Sequence, residues 1–376
     1  MLSALMSRIE NTKWPLLGPN IWVLEKWSMW QTRQGYKRMY DNIIQLAIAC
    51  FILTMYVELW TVRSNPSLAL RNLSFSILGS ICFAKALTFI LWQDGWRKII
   101  LYVTDLEAKQ RSEQDDEVNA IIDEYTKYAK DLNKFYAFLA GSTVVNAVLM
   151  PLSIHLFTDN PEFVLEVMSS WSPLDKTQGF GLWIHFILQT SAYIWGGGVV
   201  WGYDTLSFTL MSFIEGQLRI LKLNCERIFG DDTVVVGDDE ALERLKACHF
   251  SYIKLVRHTT IMNSHLSPVM FFYVIVCSLM ICASAMPSTN VKQLIFIVEY
   301  LVALIFQLFL YSWHATKIHY MVSEQESAGV KKCTLLLLSH LNVKPIVFTA
   351  GPFTQLNLDT FVQILRASYS YYTLLK

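Results

Sequence analysis

Charge is scarce in this chain: 16% of its 376 residues are Asp, Glu, Lys or Arg, 31 of each sign, and the net charge is zero. A nucleic-acid-binding protein gathers Lys and Arg into a basic face, so no nucleic-acid partner is expected. There is no Walker-type phosphate loop. The eight His form no H-E-x-x-H and the seven Cys no Cys-x-x-Cys; His314 and His319 stand five apart, off the i, i+4 face used for metals. No metal and no cofactor are expected. Cys50, Cys82, Cys277 and Cys282 fall in apolar runs, and Cys225, Cys248 and Cys333 in segments assigned below to the cytosol. None falls in an outer loop, where an oxidising compartment would pair them. The first 42 residues carry scattered charges and no unbroken apolar core, so no cleaved signal peptide is expected.

What is abundant is apolar and aromatic surface. The apolar fraction is 53%, with 22 Phe, 17 Tyr and 12 Trp, and mean hydropathy is +0.34. This is the composition of a polytopic membrane protein. Runs suited to crossing ~30 Å of hydrocarbon cover 43–60, 73–92, 135–157, 182–208, 266–286 and 294–313, with a more polar seventh at 353–375. The fourth contains Gly196-Gly197-Gly198, small residues that allow close helix contact in a membrane.

Lys and Arg number six in 1–42, seven in 93–134, seven in 209–265 and four in 314–345. The alternate loops hold two in 61–72, one in 158–181 and one in 287–293. The positive-inside rule then places the N-terminus in the cytosol and the C-terminus outside. That orientation is opposite to a G-protein-coupled receptor, and neither D-R-Y, nor N-P-x-x-Y, nor a tail after the last span is present. The reading is therefore an all-α membrane protein of seven transmembrane helices. A metabotropic seven-helix receptor is the alternative, and a transporter, lacking an inverted repeat, stands third.

The cytosolic segments carry their own pattern. Ile214, Leu218, Leu221, Cys225 and Ile228 repeat at helical spacing after the fourth span, and Leu242, Leu245, Cys248, Tyr252 and Leu255 do so before the fifth. A further apolar run fills 331–341. These faces predict helical extensions forming a cytosolic anchor platform, either shared between subunits or packed within one chain. The organisation reads as a cytosolic segment 1–42, spans one to six over 43–313 with helical loops at 93–134 and 209–265, a cytosolic loop and anchor helix at 314–349, and a seventh span at 350–376.

In that last segment Gln355, Asp359, Gln363, Arg366, Ser370 and Thr373 recur at steps of three and four. At about 100° per residue they occupy a stripe less than a quarter-turn wide. Such a stripe suits a helix lining a water-filled path, or one satisfied by neighbouring helices. Gln363, Ser370 and Thr373 are expected to line a pore and Leu374 to gate it, since a ring of Leu closes a narrow pore by dewetting. Arg366 would repel cations and is left out of that set.

The same segment carries a recognisable pattern: Thr349-Ala350-Gly351, Phe353, Leu356, Thr360-Phe361, Ile364-Leu365, and Ser368 through Tyr371, Tyr372, Thr373, Leu374, Leu375 and Lys376. It resembles the C-terminal signature of insect odorant receptors, with weaker agreement at Gln217-Leu218 and Leu310-Tyr311-Ser312-Trp313. Members of that family carry a longer segment before the last span, including a Tyr-x-x-x-Trp-type element; here 320–331 is only YMVSEQESAGVK. The resemblance implies a ligand-gated, non-selective cation channel in the plasma membrane of a sensory neuron. In it an odour-tuning subunit joins a shared co-receptor and the seventh helix lines the pore. It also implies a pocket for a small volatile odorant in the outer half of spans two, three, four and six. At that depth stand Phe75 and Gly79; Asn146, Ala147 and Met150; His185, Gln189 and Tyr193; and Phe296 and Tyr300.

Three remaining features receive structural readings. Lys85 is expected to snorkel toward water and Glu299 to meet it. Asn72-Leu73-Ser74, the one glycosylation sequon, abuts the second span, which makes it a poor acceptor. Tyr203-Asp204 is similar to half of an intramembrane aspartyl protease pair, but the other candidate, Val236-Gly237-Asp238, lacks the first Gly of Gly-x-Gly-Asp and lies in a polar loop. No catalytic residue and no enzyme are expected.

Overall fold

The computed structural model describes residues 15–31, 35–157, 165–228, 236–283, 291–327, 346–352 and 354–375, without the side chains of 66–67, 279–283, 291–300, 323–327, 369 and 371–375. In chain order the described elements are α1 (Gly18–Lys26), α2 (Tyr36–Val62), α3 (Pro66–Leu91), α4 (Gln93–Ser112), α5 (Asp116–Phe157), α6 (Gly179–Glu226), α7 (Asp238–Ala283) and α8 (Val291–Ser327). There follow a short hairpin, β1 (Thr349–Ala350) with β2 (Thr354–Gln355), and α9 (Leu358–Leu375). The end with the α2–α3 turn and residues 165–178 is called upper here, the end with α4 lower.

Local chemistry sets the ends. Asn65 accepts the Leu68 N–H and is followed by Pro66, which needs no partner at a first turn. Asp115 accepts the N–H groups of Glu117 and Val118 where α5 begins. The helices α5, α6 and α7 have 42, 48 and 46 residues. At ~1.5 Å per residue each is about twice as long as a bilayer core is thick. The expected extensions are thus continuous with the spans. Their apolar faces pack within the chain: Ile214, Leu218, Leu221, Cys225 and Ile228 are buried, as are Cys248, Tyr252 and Leu255, in one cluster with Trp96, Ile99, Ile100 and Val103 of α4. Leu242 is the exception, 49% exposed. The run 331–341 lies outside the described residues.

Among the described residues, five helices are long and apolar enough to cross a membrane, those of α2, α3, α5, α7 and α8. The expected fourth and seventh spans, in α6 and α9, fall outside that set for different reasons. In α6 every residue from Gly202 to Ile214 is buried, so its surroundings there are protein, and Gly, Ser, Thr and Tyr are compatible with them. In α9 the residues described with their side chains are fewer than a span requires. By contrast α2 exposes Ile43, Leu46, Leu53, Val57 and Trp60, a surface suited to lipid.

The N-terminal segment is more than a tail. The helix α1 packs against α6, and Asn20 donates to Thr205 Oγ1 at 3.0 Å. A Cβ on Gly198 would lie 2.1 Å from the Trp27 ring, and one on Gly202 2.8 Å from Met29. These two glycines are what let α1 and the turn after it reach α6; Gly197 does the same for Val144 of α5, at 2.6 Å.

The last helix starts later than its sequence predicts, at Leu358, because Gly351 (φ +71°) and Pro352 turn a hairpin that pairs Thr349 with Gln355 and Ala350 with Thr354. Gln355 therefore lies in β2 and leaves the helical stripe. The hairpin is held to α7: Thr349 N–H donates to Asn263 Oδ1 at 3.0 Å and Gly351 N–H to Ser267 O at 3.1 Å. The Leu358 N–H donates to Thr316 Oγ1 of α8 at 3.0 Å, and Phe361 meets Phe309 edge to face at 5.7 Å. Both α7 and α8 thus fix the root of α9.

Candidate functional site

A cavity of about 140 Å³ opens between α2, α3, α5, α6 and α8. Its walls include Phe51, Ile52 and Met55 of α2, Phe75, Leu78 and Gly79 of α3, Leu139 and Val144 of α5, Tyr193 and Gly196 of α6, and Leu304 of α8. Among the described residues, no Asp, Glu, Lys, Arg or His lines it. Such a lining suits a small apolar molecule.

The floor is polar. Tyr136 of α5 and Gln307 of α8 line the cavity and both donate to Asp204 Oδ2, at 3.2 and 2.6 Å. Lys85 of α3 donates to both Asp204 oxygens at 2.7 and 3.0 Å, and Tyr311 adds a bond to Oδ1 at 2.8 Å. Tyr273 of α7 donates to Gln307 Oε1 at 2.8 Å. The Lys85 ammonium also faces the Tyr203 and Tyr273 rings at 5.4 and 5.3 Å. Both charges are buried, at 1% and 0% exposure. Burying an ion pair is tolerable only when each charge is fully partnered, and here five helices supply the partners. Lys85 does not snorkel: Asp204 lies closer than water, and its carboxylate offers two acceptors. The sequence carried the signal, since two opposite intramembrane charges pair before either reaches solvent.

The roof is the segment 165–171. Gln189 accepts the Val167 N–H at 2.8 Å, donates to Met168 O at 2.5 Å and Ser170 Oγ at 3.0 Å, and stands 2.7 Å from His185 Nε2. Asn72 donates to Ser169 O at 2.8 Å, and the Trp171 N–H to Thr54 O at 3.1 Å. Lys176 pairs with Glu58 at 3.1 Å. Met168 then faces the cavity from above.

Of the residues expected at the ligand, Phe75, Gly79 and Tyr193 line this cavity. His185 and Gln189 are not among its lining residues; they are buried and tie down the roof. Ala147 is buried in a small cluster with Leu165, Val167, Met168, Leu182 and Phe186. Asn146 is on an exposed side of α5 and Met150 is half-buried, neither at the cavity. Phe296 and Tyr300 lie in α8, but their side chains are outside the described residues; Ala303, Leu304 and Gln307, about a turn further along, are the α8 residues present. The whole contribution of α2 and the floor pair Tyr136 and Gln307 were missed. Asn72 sits inside α3, 1% exposed with its amide engaged, so it is no glycan acceptor in the folded chain.

On α9, Asp359, Gln363, Arg366 and Ser370 share an exposed face, while Ser368 is buried. Thr373 and Leu374 continue the helix, with side chains outside the described residues.

Comparison with known proteins agrees with this architecture. The structure superposes on the insect olfactory receptor OR5 from Machilis hrabei with TM-score 0.79, covering 100% of this chain and 98% of that one at 18% identity. Against OR5 in complex with eugenol the TM-score is 0.77, over 95% and 96% at 18% identity. In sequence, the chain is 26% identical to odorant receptor Or2 of Anopheles gambiae, covering 96% of this chain and 97% of that one. Shorter matches include odorant receptor 10 of Aedes albopictus (26%, 33% of this chain and 36% of the relative) and odorant receptor 46a, isoform B, of Drosophila melanogaster (22%, 46% and 50%). The chain is thus a multi-pass membrane protein, and because the 7tm Odorant receptor model matches it over residues 65–369, it belongs to that family.

Proposed function

We propose that this chain is the odour-tuning subunit of a ligand-gated, non-selective cation channel in the plasma membrane, assembled with the family's shared co-receptor. A small volatile molecule occupies the cavity between α2, α3, α5, α6 and α8, and cations pass along α9. The N-terminus is cytosolic and the C-terminus outside, which puts the roof toward the source of the odorant.

One observation carries this reading. The cavity floor and the root of α9 share two helices: Gln307 and Tyr311 of α8 and Tyr273 of α7 build the floor network, and Thr316, Asn263 and Ser267 of the same helices hold the start of α9. A ligand that fits one arrangement of α7 and α8 better than another biases the helix rooted on them. The exposed stripe of Gln363 and Ser370 supports a pore face, and Thr373 and Leu374 extend it toward a gate.

Current recording from cells expressing the chain with and without an insect co-receptor, under a panel of small aromatic and ester volatiles, tests the reading. A fast, G-protein-independent cation current is expected only in the pair. Gly79→Phe fills the cavity and abolishes the response while surface labelling persists, and Leu374→Ala raises resting leak. A current through a second messenger, or an unchanged response in Gly79→Phe, overturns it.

A further inference from the structure

The floor of the cavity has a direction. The Gln307 amide cannot be flipped, because Oε1 accepts from Tyr273 at 2.8 Å and Nε2 donates to the Asp204 carboxylate at 2.6 Å; reversal would set an oxygen against a carboxylate. One Nε2 hydrogen remains unassigned, on a residue that lines the cavity. The Tyr136 hydroxyl hydrogen is already spent on Asp204 at 3.2 Å. Thr143, another wall residue, donates to Leu139 O at 2.7 Å in its own helix. The wall residue Trp195 adds an indole N–H that is buried and has no partner among the described residues. Among the described residues, the lining thus offers amide and indole N–H groups beside the hydroxyls of Tyr136, Thr143 and Tyr193, and the rest is apolar and uncharged.

We propose that Gln307 is the specificity-determining residue of the cavity, donating its second amide N–H to an acceptor oxygen, so that the ligand class is a neutral, single-ring-sized molecule with a carbonyl or ether oxygen at one end. This rests on the cavity being the ligand site. Size follows from the volume: a cavity of about 150 Å³ lined by apolar side chains accommodates benzene. Neutrality follows from the lining, since a charged ligand would leave water for walls whose described residues offer no counter-ion. Lys85 is already neutralised by Asp204.

The test is direct binding to the full-length chain in lipid discs, comparing acetophenone with α-methylstyrene, which has the same shape with CH₂ in place of the oxygen. The native chain is expected to bind acetophenone about tenfold more tightly, the worth of one well-placed hydrogen bond. Gln307→Leu should bring the two affinities within about twofold by weakening only the ketone. Equal affinities in the native chain, or a preference surviving in Gln307→Leu, overturn the assignment while leaving the cavity as the site. Binding of neither compound by the native chain overturns the assignment together with the cavity reading. Where Gln307→Leu fails to fold, Trp195→Phe decides between the two donors of the lining: the ketone preference should survive it, and its loss overturns the assignment to Gln307.

Discussion

The roof and the floor of one cavity are both polar, yet they are built on opposite principles. The floor joins side chains of five helices around a buried charge pair, whereas the roof joins side chains of α3 and α6 mainly to the backbone of one connecting segment. Breaking the floor leaves a charge stranded in an apolar interior, a cost of about 3–5 kcal/mol. Breaking a roof bond strands a neutral group at about 1–3 kcal/mol, in a segment next to solvent that relaxes locally. The lesson is that the floor is the fixed reference of the pocket and the roof its movable part, so entry and release belong above.

The largest test of that contrast is Lys85→Met, which leaves Asp204 unpaired. Thermal unfolding in lipid discs should fall by the equivalent of about 3–5 kcal/mol, and Lys85→Met with Asp204→Leu should recover most of it. If the single variant is as stable as the double, the charge pair does not fix the floor. A smaller change is expected from Gln189→Leu: hydrogen exchange across 165–171 should quicken and ligand release accelerate, with a loss confined to about 1–3 kcal/mol. A global destabilisation matching Lys85→Met would erase the distinction.

The smallest effect is one of pH. Burial holds the Glu166 carboxyl in the roof above the ordinary carboxylate range, opposed by Arg71 and Lys176. The folded roof then binds that proton more tightly than the unfolded chain does. Its stability rises as pH falls from neutral through the raised value, and levels off below the ordinary carboxylate pKa. Protection of 165–171, taken relative to the intrinsic exchange rate at each pH, should increase on mild acidification, and Glu166→Gln should remove that increase; an increase persisting in Glu166→Gln would assign it to another group.

Depth in the membrane was legible in the sequence, because apolar runs and flanking Lys and Arg mark it directly. Azimuth was not, since which way a side chain points depends on neighbours that periodicity does not name. Gln189 and His185 stand at the expected height but turn to the roof, while Phe75, Gly79 and Tyr193 turn to the cavity. Gly196-Gly197-Gly198 announced a close contact without saying that Val144 and Trp27 make it. Two-residue strands have no period, so the hairpin turned by Gly351 and Pro352 was invisible. Lys85 and Asp204 were each noticed singly, and only packing could show that they face one another.

The seat of α1 sets an order of events during synthesis. Its Trp27 ring and Met29 rest in the hollows of Gly198 and Gly202, which emerge roughly 170 residues later; at about 5–20 residues per second that is a wait of about 9–34 s. The first described helix to be made thus waits until α6 has been synthesised before it can dock. Until then Leu17, Leu24 and Met29, at most 1% exposed once docked, have no partner on α6, and the nascent N-terminus is a hydrophobic strand of chain in need of protection.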